Sequence, residues 1–335
     1  MTAWPTTRFE RPAVFLVNGL GDQLIALPAM RALGAIFPMG IQLLLGEGMF
    51  SFFYRGLLVG EGIRVWWSDC DKRIIDVERT VAGTAPCDVF VCLSTWAAPS
   101  VVDLAGKMGA NWSVGCFEVF DEVVPINESA HMFDRLFAIP QHFRADLCLE
   151  DFSYTPLFSA AAEEAARRFV CRHVPPGGRI LFVHPETRPD KMWSSASFSW
   201  VLERFLDTHP EFMVVVSDIE PHPLQLSRYQ HRMVWVDHHL ELALAMLSHA
   251  DLFLGIDSCF LHAADLFRLP GVALFGPTEP RQWGFRFSPL TRTFSGGGSM
   301  DRICRQPVLD ALLEIADSCQ NKPLSASRES TLAAQ

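Results

Sequence analysis

From Ala250 the chain runs Ala250-Asp-Leu-Phe-Leu-Gly-Ile-Asp-Ser-Cys-Phe-Leu-His-Ala-Ala-Asp-Leu-Phe-Arg-Leu-Pro-Gly-Val-Ala-Leu-Phe-Gly-Pro-Thr-Glu-Pro280. A short apolar run, Leu252 to Gly255, breaks at its glycine. Asp257 and Ser258 follow, suited to capping a helix that carries His262, and a second apolar run, Val272 to Phe275, ends in the turn Gly276-Pro277-Thr278. The segment reads as strand, helix and strand, with its polar residues gathered at the carboxyl ends of the strands. Open α/β sheets bind ligands at those ends. Free backbone N–H groups and the positive end of the Ser258 helix suit that spot to a diphosphate.

The same alternation continues in both directions. Upstream, Ile180 to Val183, Phe212 to Val216 and Met233 to Val236 read as strands, with helices over Ala196 to Asp207 and Leu240 to His249. Downstream, Ser295-Gly-Gly-Gly-Ser299 precedes a helix from about Pro307 to Cys319. In the first half the strand candidates are Ala13 to Val17, Ile41 to Leu45, Ile63 to Trp67, Asp88 to Leu93 and Asn111 to Cys116. Helical spacing covers Asp22 to Phe37, Phe50 to Leu58, Lys72 to Val81 and Ser100 to Met108. Strands separated by helices imply parallel sheets wrapped on both faces. The pattern changes between Pro140 and Gly178, where Phe158 to Cys171 looks helical and Pro175-Pro-Gly-Gly178 breaks the chain. The expectation is an α/β protein of two doubly wound, Rossmann-like domains, 1–160 and 161–320, followed by a disordered polar tail, 321–335.

Composition narrows the function. At 335 residues, 49% hydrophobic and 20% charged, the chain supports two cores. No apolar run reaches the roughly 18 to 20 residues of a membrane span, and the first ten residues lack a secretory centre, so a cytoplasmic location is expected. The nine cysteines form no C-x-x-C pair and read as reduced, mostly buried thiols. A net charge of −10 argues against nucleic acid as a partner.

Near the start stands Asn18-Gly-Leu-Gly-Asp-Gln-Leu-Ile-Ala-Leu-Pro-Ala-Met30, placed between a strand and a helix. Gly19 and Gly21 are read as letting the backbone turn sharply and approach a ligand. A dinucleotide fingerprint would need glycine where Leu24 stands, and an acid about 20 residues on; Glu47 is too distant. Asp22 fits two roles, an N-cap or a carboxylate held at the ligand end of the sheet. A third block, Phe182-Val-His-Pro-Glu-Thr-Arg-Pro-Asp-Lys-Met-Trp193, puts Thr187, Arg188 and Lys191 on the loop after a strand.

In this order and spacing the three blocks resemble the heptosyltransferases of glycosyltransferase family 9, and they span most of the chain. The resemblance implies the two-domain GT-B architecture, with the acceptor on the N-terminal domain, the donor on the C-terminal domain and the reaction in the cleft between them. It implies an inverting transfer without metal or cofactor, from a nucleotide-sugar donor, ADP-heptose being favoured. Asp22 would then be the general base, kept ionised by its helix N-terminus, and Lys191 would neutralise the donor phosphate. Thr187 and Arg188 would add hydrogen bonds. Asp257, Ser258, Cys259 and His262 would form the diphosphate end of the site, Glu220 (with Asp218 as competitor) would bind the ribose, and Gly276 and Pro277 would line it. Cys259 stands where the family pattern has glycine, and its side chain would narrow the phosphate loop.

The acceptor is not specified by these blocks. The acidic balance and the lack of a polybasic run favour a small metabolite or natural product over an anionic lipid headgroup. Trp66, Trp67, Trp96 and Trp112 are core candidates that would suit a flat acceptor or a sugar face if they line the site. The alternatives are a lipopolysaccharide-core heptosyltransferase, a non-catalytic sugar-nucleotide-binding protein of the same fold, and a sugar-nucleotide epimerase.

Overall fold

The computed structural model describes residues 9–46, 51–57, 62–71, 74–217, 224–236 and 239–319. The chain separates into two compact units, Met1–Leu157 and Phe158–Gln335.

In the first unit the order is β1 (Pro12–Leu16), α1 (Leu20–Ile36), β2 (Gln42–Leu45), β3 (Ile63–Arg64), α2 (Val77–Val81), β4 (Val89–Cys92), α3 (Pro99–Lys107), β5 (Trp112–Gly115), β6 (Glu122–Val123), α4 (Met132–Phe143) and α5 (Leu149–Phe152). The sheet runs β3-β2-β1-β4-β5-β6, every pairing parallel. In the second unit the order is α6 (Ala160–His173), β7 (Arg179–His184), α7 (Ser195–Thr208), β8 (Phe212–Ser217), β9 (Met233–Val236), α8 (Leu240–Leu247), β10 (Leu252–Ile256), α9 (Cys259–Leu266), β11 (Gly271–Phe275), α10 (Pro280–Trp283), β12 (Thr291–Ser295) and α11 (Arg305–Cys319). Its sheet, β12-β11-β10-β7-β8-β9, is also parallel throughout. Counted from its own first strand, each sheet reads 3-2-1-4-5-6, so each is a doubly wound fold. The strand order reverses between β1 and β4 in one unit and between β7 and β10 in the other, which fixes a ligand crevice at the carboxyl ends of those pairs.

Burial explains why the central strands form. Every residue of β1, β4, β7, β8, β10 and β11 is buried, as expected of parallel strands covered on both faces. In the second unit Phe198, Phe205 and Phe212 pack into one cluster with Val214, Leu254 and Leu274. Fully burying such a side chain is worth about 1.5–3 kcal/mol. In the first unit Phe15 and Phe90 anchor the corresponding cluster with Val101 and Leu104.

Several elements differ from the sequence expectation. The helix expected over 50–58 is a single 3-10 turn, Ser51–Tyr54, where it is described; residues 50 and 58 lie outside the described residues. The strand expected to reach Trp67 stops at Arg64, and Trp67 makes only an isolated antiparallel bridge with Ile75. Of the helix expected over 72–81, residues 72 and 73 lie outside the described residues, and the described part begins at Val77, where the Asp76 carboxylate caps it by accepting the Arg79 N–H at 3.1 Å. Unexpected from sequence are α4, α5, α10, β6 and β12. Helix α4 buries Met132, Phe133, Leu136, Phe137 and Phe143 on one stripe and carries Pro140 in its last turn, where it gives up the N–H that would have reached the Leu136 carbonyl. The predicted tail 321–335 lies outside the described residues. Buried thiols are the minority: Cys87, Cys92 and Cys319 are buried, whereas Cys70, Cys148, Cys171 and Cys304 are exposed, since the last four fall on turns and outer helix faces.

Arg31, on α1, ties down the segment that closes the first unit. Its guanidinium donates to the carbonyls of Phe152 and Thr155 at 2.9 and 2.7 Å and to that of Tyr154, and it lies 3.6 Å from the Tyr154 ring centroid. Burial lowers its pKa to about 10, so it stays charged at neutral pH.

Candidate active site

In the first unit the turn after β1 carries Gly19, Gly21 and Asp22. Helix α1 starts at Leu20 with Gly19 as N-cap, so Asp22 stands at the third helical position and is not the cap itself. Its carboxylate reaches back to accept the Gly19 N–H at 3.1 Å, which is one half of a capping box. The sharp-turn role expected of the glycines is absent. Gly19 has φ −66° and ψ 168°, open to any residue, and a Cβ there would meet Asp22 Oδ2 at an ordinary 3.4 Å. Gly21 lies in the first turn of α1.

Asp22 is braced from beneath. Buried Tyr54 donates its phenol to the Gln23 carbonyl at 2.8 Å. Burial, and secondarily the Asp22 charge, push the Tyr54 pKa well up, so the phenol remains a donor. The Gln23 side chain is fully buried, and its amide oxygen and nitrogen have no hydrogen-bond partner among the described residues. The loop after β4 is zipped to the same turn. Val17 N–H donates to Ser94 Oγ at 2.8 Å, Asn18 Nδ2 to Thr95 Oγ1 at 2.6 Å, and Trp96 Nε1 to the Val17 carbonyl at 2.7 Å.

In the second unit the loops after β7, β10 and β11 meet. Lys191, closing the 3-10 turn Pro189–Lys191, places its ammonium 2.5 Å from Asp257 Oδ2. The side chains are 17% and 5% exposed, so the pair is largely shielded from water. The Thr278 hydroxyl donates to the same oxygen at 2.6 Å. His262 Nε2 lies 3.8 Å from Asp257 Oδ1, and its ring is 6.4 Å from that of Trp283. Asp257 therefore gathers an ammonium, a hydroxyl and an imidazole around one carboxylate.

Beside this cluster α9 begins. Ser258 is its N-cap in extended conformation, but its hydroxyl makes no capping bond and is a buried atom without a partner among the described residues. The capping expected of Ser258 is thus not made, and α9 begins without a side-chain cap, at the end of a helix that suits an anion. Burial pushes the Cys259 thiol up to about 12, so it is neutral at ordinary pH. Thr187 is half-buried, and exposed Arg188 engages Asp190 at 2.9 Å. Gly276 is required by close packing, since a Cβ would come within 2.8 Å of Met300 Cγ; the following Pro277 is exposed. Glu220 and Asp218 lie outside the described residues. Met246 is fully buried, which makes it core.

Three site-shaping residues escape the sequence reading. Thr278 was visible only as part of a turn, and its bond to Asp257 spans 21 residues. His184, the last residue of β7, is buried and holds the Ser217 carbonyl at 2.8 Å through Nδ1; burial lowers its pKa to about 4, so the ring is neutral and Nδ1–H is the donor. Asp265, fully buried on α9, accepts the N–H groups of Arg286, Phe287 and Ser288 at 2.8, 2.9 and 2.8 Å. That fixes the segment after α10 against the helix carrying His262.

The family model described as glycosyltransferase family 9 (heptosyltransferase) matches residues 107–304, more than half of the chain. The chain belongs to glycosyltransferase family 9. It is a glycosyltransferase of the GT-B fold, and the matched span contains Lys191, Asp257 and Thr278 but not Asp22. Among solved structures it is similar to a family 9 glycosyl transferase from Veillonella parvula, at 16% identity and a TM-score of 0.72, over 95% of this chain and 98% of that one. It is similar to the E. coli ADP-heptose lps heptosyltransferase II, at 16% identity and a TM-score of 0.68, over 92% and 99% of the two chains. It is also similar to E. coli heptosyltransferase WaaC with ADP, at 15% identity and a TM-score of 0.65, over 91% and 99%. At such identities the likeness shows the fold. A search of curated proteins finds no match. No helix among the described residues is long and apolar enough to cross a membrane.

Proposed function

We propose that this glycosyltransferase moves a sugar from a nucleoside-diphosphate donor, ADP-heptose being favoured, to the hydroxyl of a small acceptor, with inversion and without a metal. The observation that carries the reading is the shielded Lys191–Asp257–Thr278 cluster beside the N-terminus of α9, which has no side-chain cap. It offers a cation, a hydroxyl and the positive end of a helix where a departing diphosphate develops charge. ADP-bearing relatives of the same fold support the choice of adenine nucleotide.

In this reading the acceptor O–H gives its proton to the Asp22 carboxylate as its oxygen attacks the anomeric carbon. The bond from that carbon to the phosphate oxygen breaks, and its electron pair leaves with the diphosphate. Lys191 turns from Asp257 to meet that charge, while Asp257 and Thr278 hold it ready beforehand. Thr187, Arg188, Ser258 and the backbone from Ser258 to Phe260 contribute hydrogen bonds to the phosphates. Cys259, neutral, takes no part as a nucleophile. Glu220 is assigned to the ribose, and His262, Gly276 and Pro277 to the lining of the donor site.

Calorimetric titration with ADP-, GDP- and UDP-sugars tests the donor. Binding of the ADP-sugar in preference to the others is expected. Selective binding of a UDP-sugar, with none of ADP, would overturn the assignment.

A further inference from the structure

The carboxyl end of the first unit holds a feature that the donor chemistry does not use. Trp96 follows β4 and Trp67 follows β3, and their ring centroids lie 5.8 Å apart with planes 32° from parallel. Trp96 is rigidly set: Nε1 donates to the Val17 carbonyl, and Phe15 packs edge-on against its ring at 5.6 Å. Both indoles nevertheless remain only half-buried, resting on the core cluster of this unit. Their neighbours toward the Asp22 turn are the exposed Thr95 and the Asn18 amide bonded to it. Two tryptophans held open beside polar groups, Trp96 at the strand-order reversal and Trp67 reaching it from the edge strand, form a surface suited to a ring with one apolar face and a polar rim.

The charge pattern narrows the ring further. Arg64 and Arg79 lie 3.7 and 3.4 Å over the ring of Trp66, not of Trp67. Residues 66 and 67 belong to an extended segment, fixed by the Trp67–Ile75 bridge and by the Asp76 N–H bond to the Trp66 carbonyl. Successive side chains of such a segment leave on opposite faces, so these two guanidinium groups serve the other side; Lys72 and Arg73 of the same loop lie outside the described residues.

We propose that Trp67 and Trp96 form the acceptor platform of this enzyme, on which an uncharged ring, a sugar or a planar aromatic, stacks with its hydroxyl directed to the Asp22 turn. The proposal rests on Asp22 being the base of the reading above. It assigns the acceptor by chemistry: a neutral ring, not a phosphorylated one.

The platform is tested on the wild-type chain by NMR, without donor, using methyl glucoside, 4-cresol and glucose 6-phosphate as probes. The indole N–H resonances of Trp67 and Trp96, assigned from Trp67→Phe and Trp96→Phe, are expected to shift saturably with a neutral probe. Preference for the glucoside identifies a sugar acceptor, and preference for cresol an aromatic one. Trp96→Ala is expected to weaken the preferred probe about tenfold while ADP affinity stays unchanged. Indole resonances that do not move, or glucose 6-phosphate binding more than tenfold tighter than methyl glucoside, would overturn the platform. Failure of the wild type to bind ADP would instead strike the donor reading, so the two results are separable.

Discussion

At the residue scale, Asp22 and Lys191 make opposite demands on experiment. Asp22 is tied to Gly19 through a bond that a neutral amide can largely replace. Asp22→Asn should therefore fold and bind donor normally, yet lose about 10²- to 10⁴-fold in turnover as the base disappears. Lys191→Ala removes the partner of a shielded carboxylate and should weaken donor binding and turnover together. Steady-state kinetics with donor and acceptor varied separately distinguishes the two, and near-normal turnover in Asp22→Asn would reduce that residue to a helix-capping role. Gln23 supplies a different prediction. An unmet buried polar group costs about 1–3 kcal/mol, so Gln23→Met, close in volume, should raise stability by about that amount in thermal unfolding. A fall in stability would show that the amide is bonded in solution.

At the scale of elements, legibility followed burial. The strands around each order reversal were readable because they are short, fully buried and largely apolar runs bounded by turns. Strand β3 was expected but overextended, because only two residues of its apolar run pair, whereas β6 has two residues and β12 is half-exposed, so no period could reveal those two. In the candidate site, motif order singled out Asp22, Lys191 and Asp257, whereas Thr278, His184 and Asp265 make their bonds to partners distant in sequence or to backbone groups. Residue type alone also misled at Gly19, whose conformation needs no glycine, and at Ser258, whose hydroxyl leaves the helix uncapped. Asp265 carries the prediction for this scale. Its carboxylate serves three N–H groups, and an amide presents only one acceptor oxygen, with an NH₂ facing the others. Asp265→Asn should cost about 2–4 kcal/mol and speed hydrogen exchange at Arg286, Phe287 and Ser288 above all other amides of the second unit. Unchanged exchange at those three positions would detach the segment from Asp265.

At the scale of the molecule, two units with separate cores need not unfold together, so one midpoint does not describe the chain. That separation makes an acid-sensitive unit detectable. His184 is buried between the Ser217 carbonyl and the Phe260 ring, and its pKa falls to about 4 in the fold from an ordinary 6.5. The unfolded chain then binds the extra proton first. The contribution of a neutral His184 is complete above about pH 6.5 and is lost progressively as pH falls toward 4, reaching about 3 kcal/mol. The loss belongs to the second unit, because His184 ends β7, one of the two central strands of its sheet, and bonds to the end of the neighbouring β8. Scanning calorimetry between pH 7 and pH 4 should show the transition of that unit moving down while that of the first unit moves less. His184→Gln, which keeps a donor without a titrating ring, should flatten the difference. Equal acid sensitivity in wild type and variant would mean that His184 is not what ties the donor-site loops to pH.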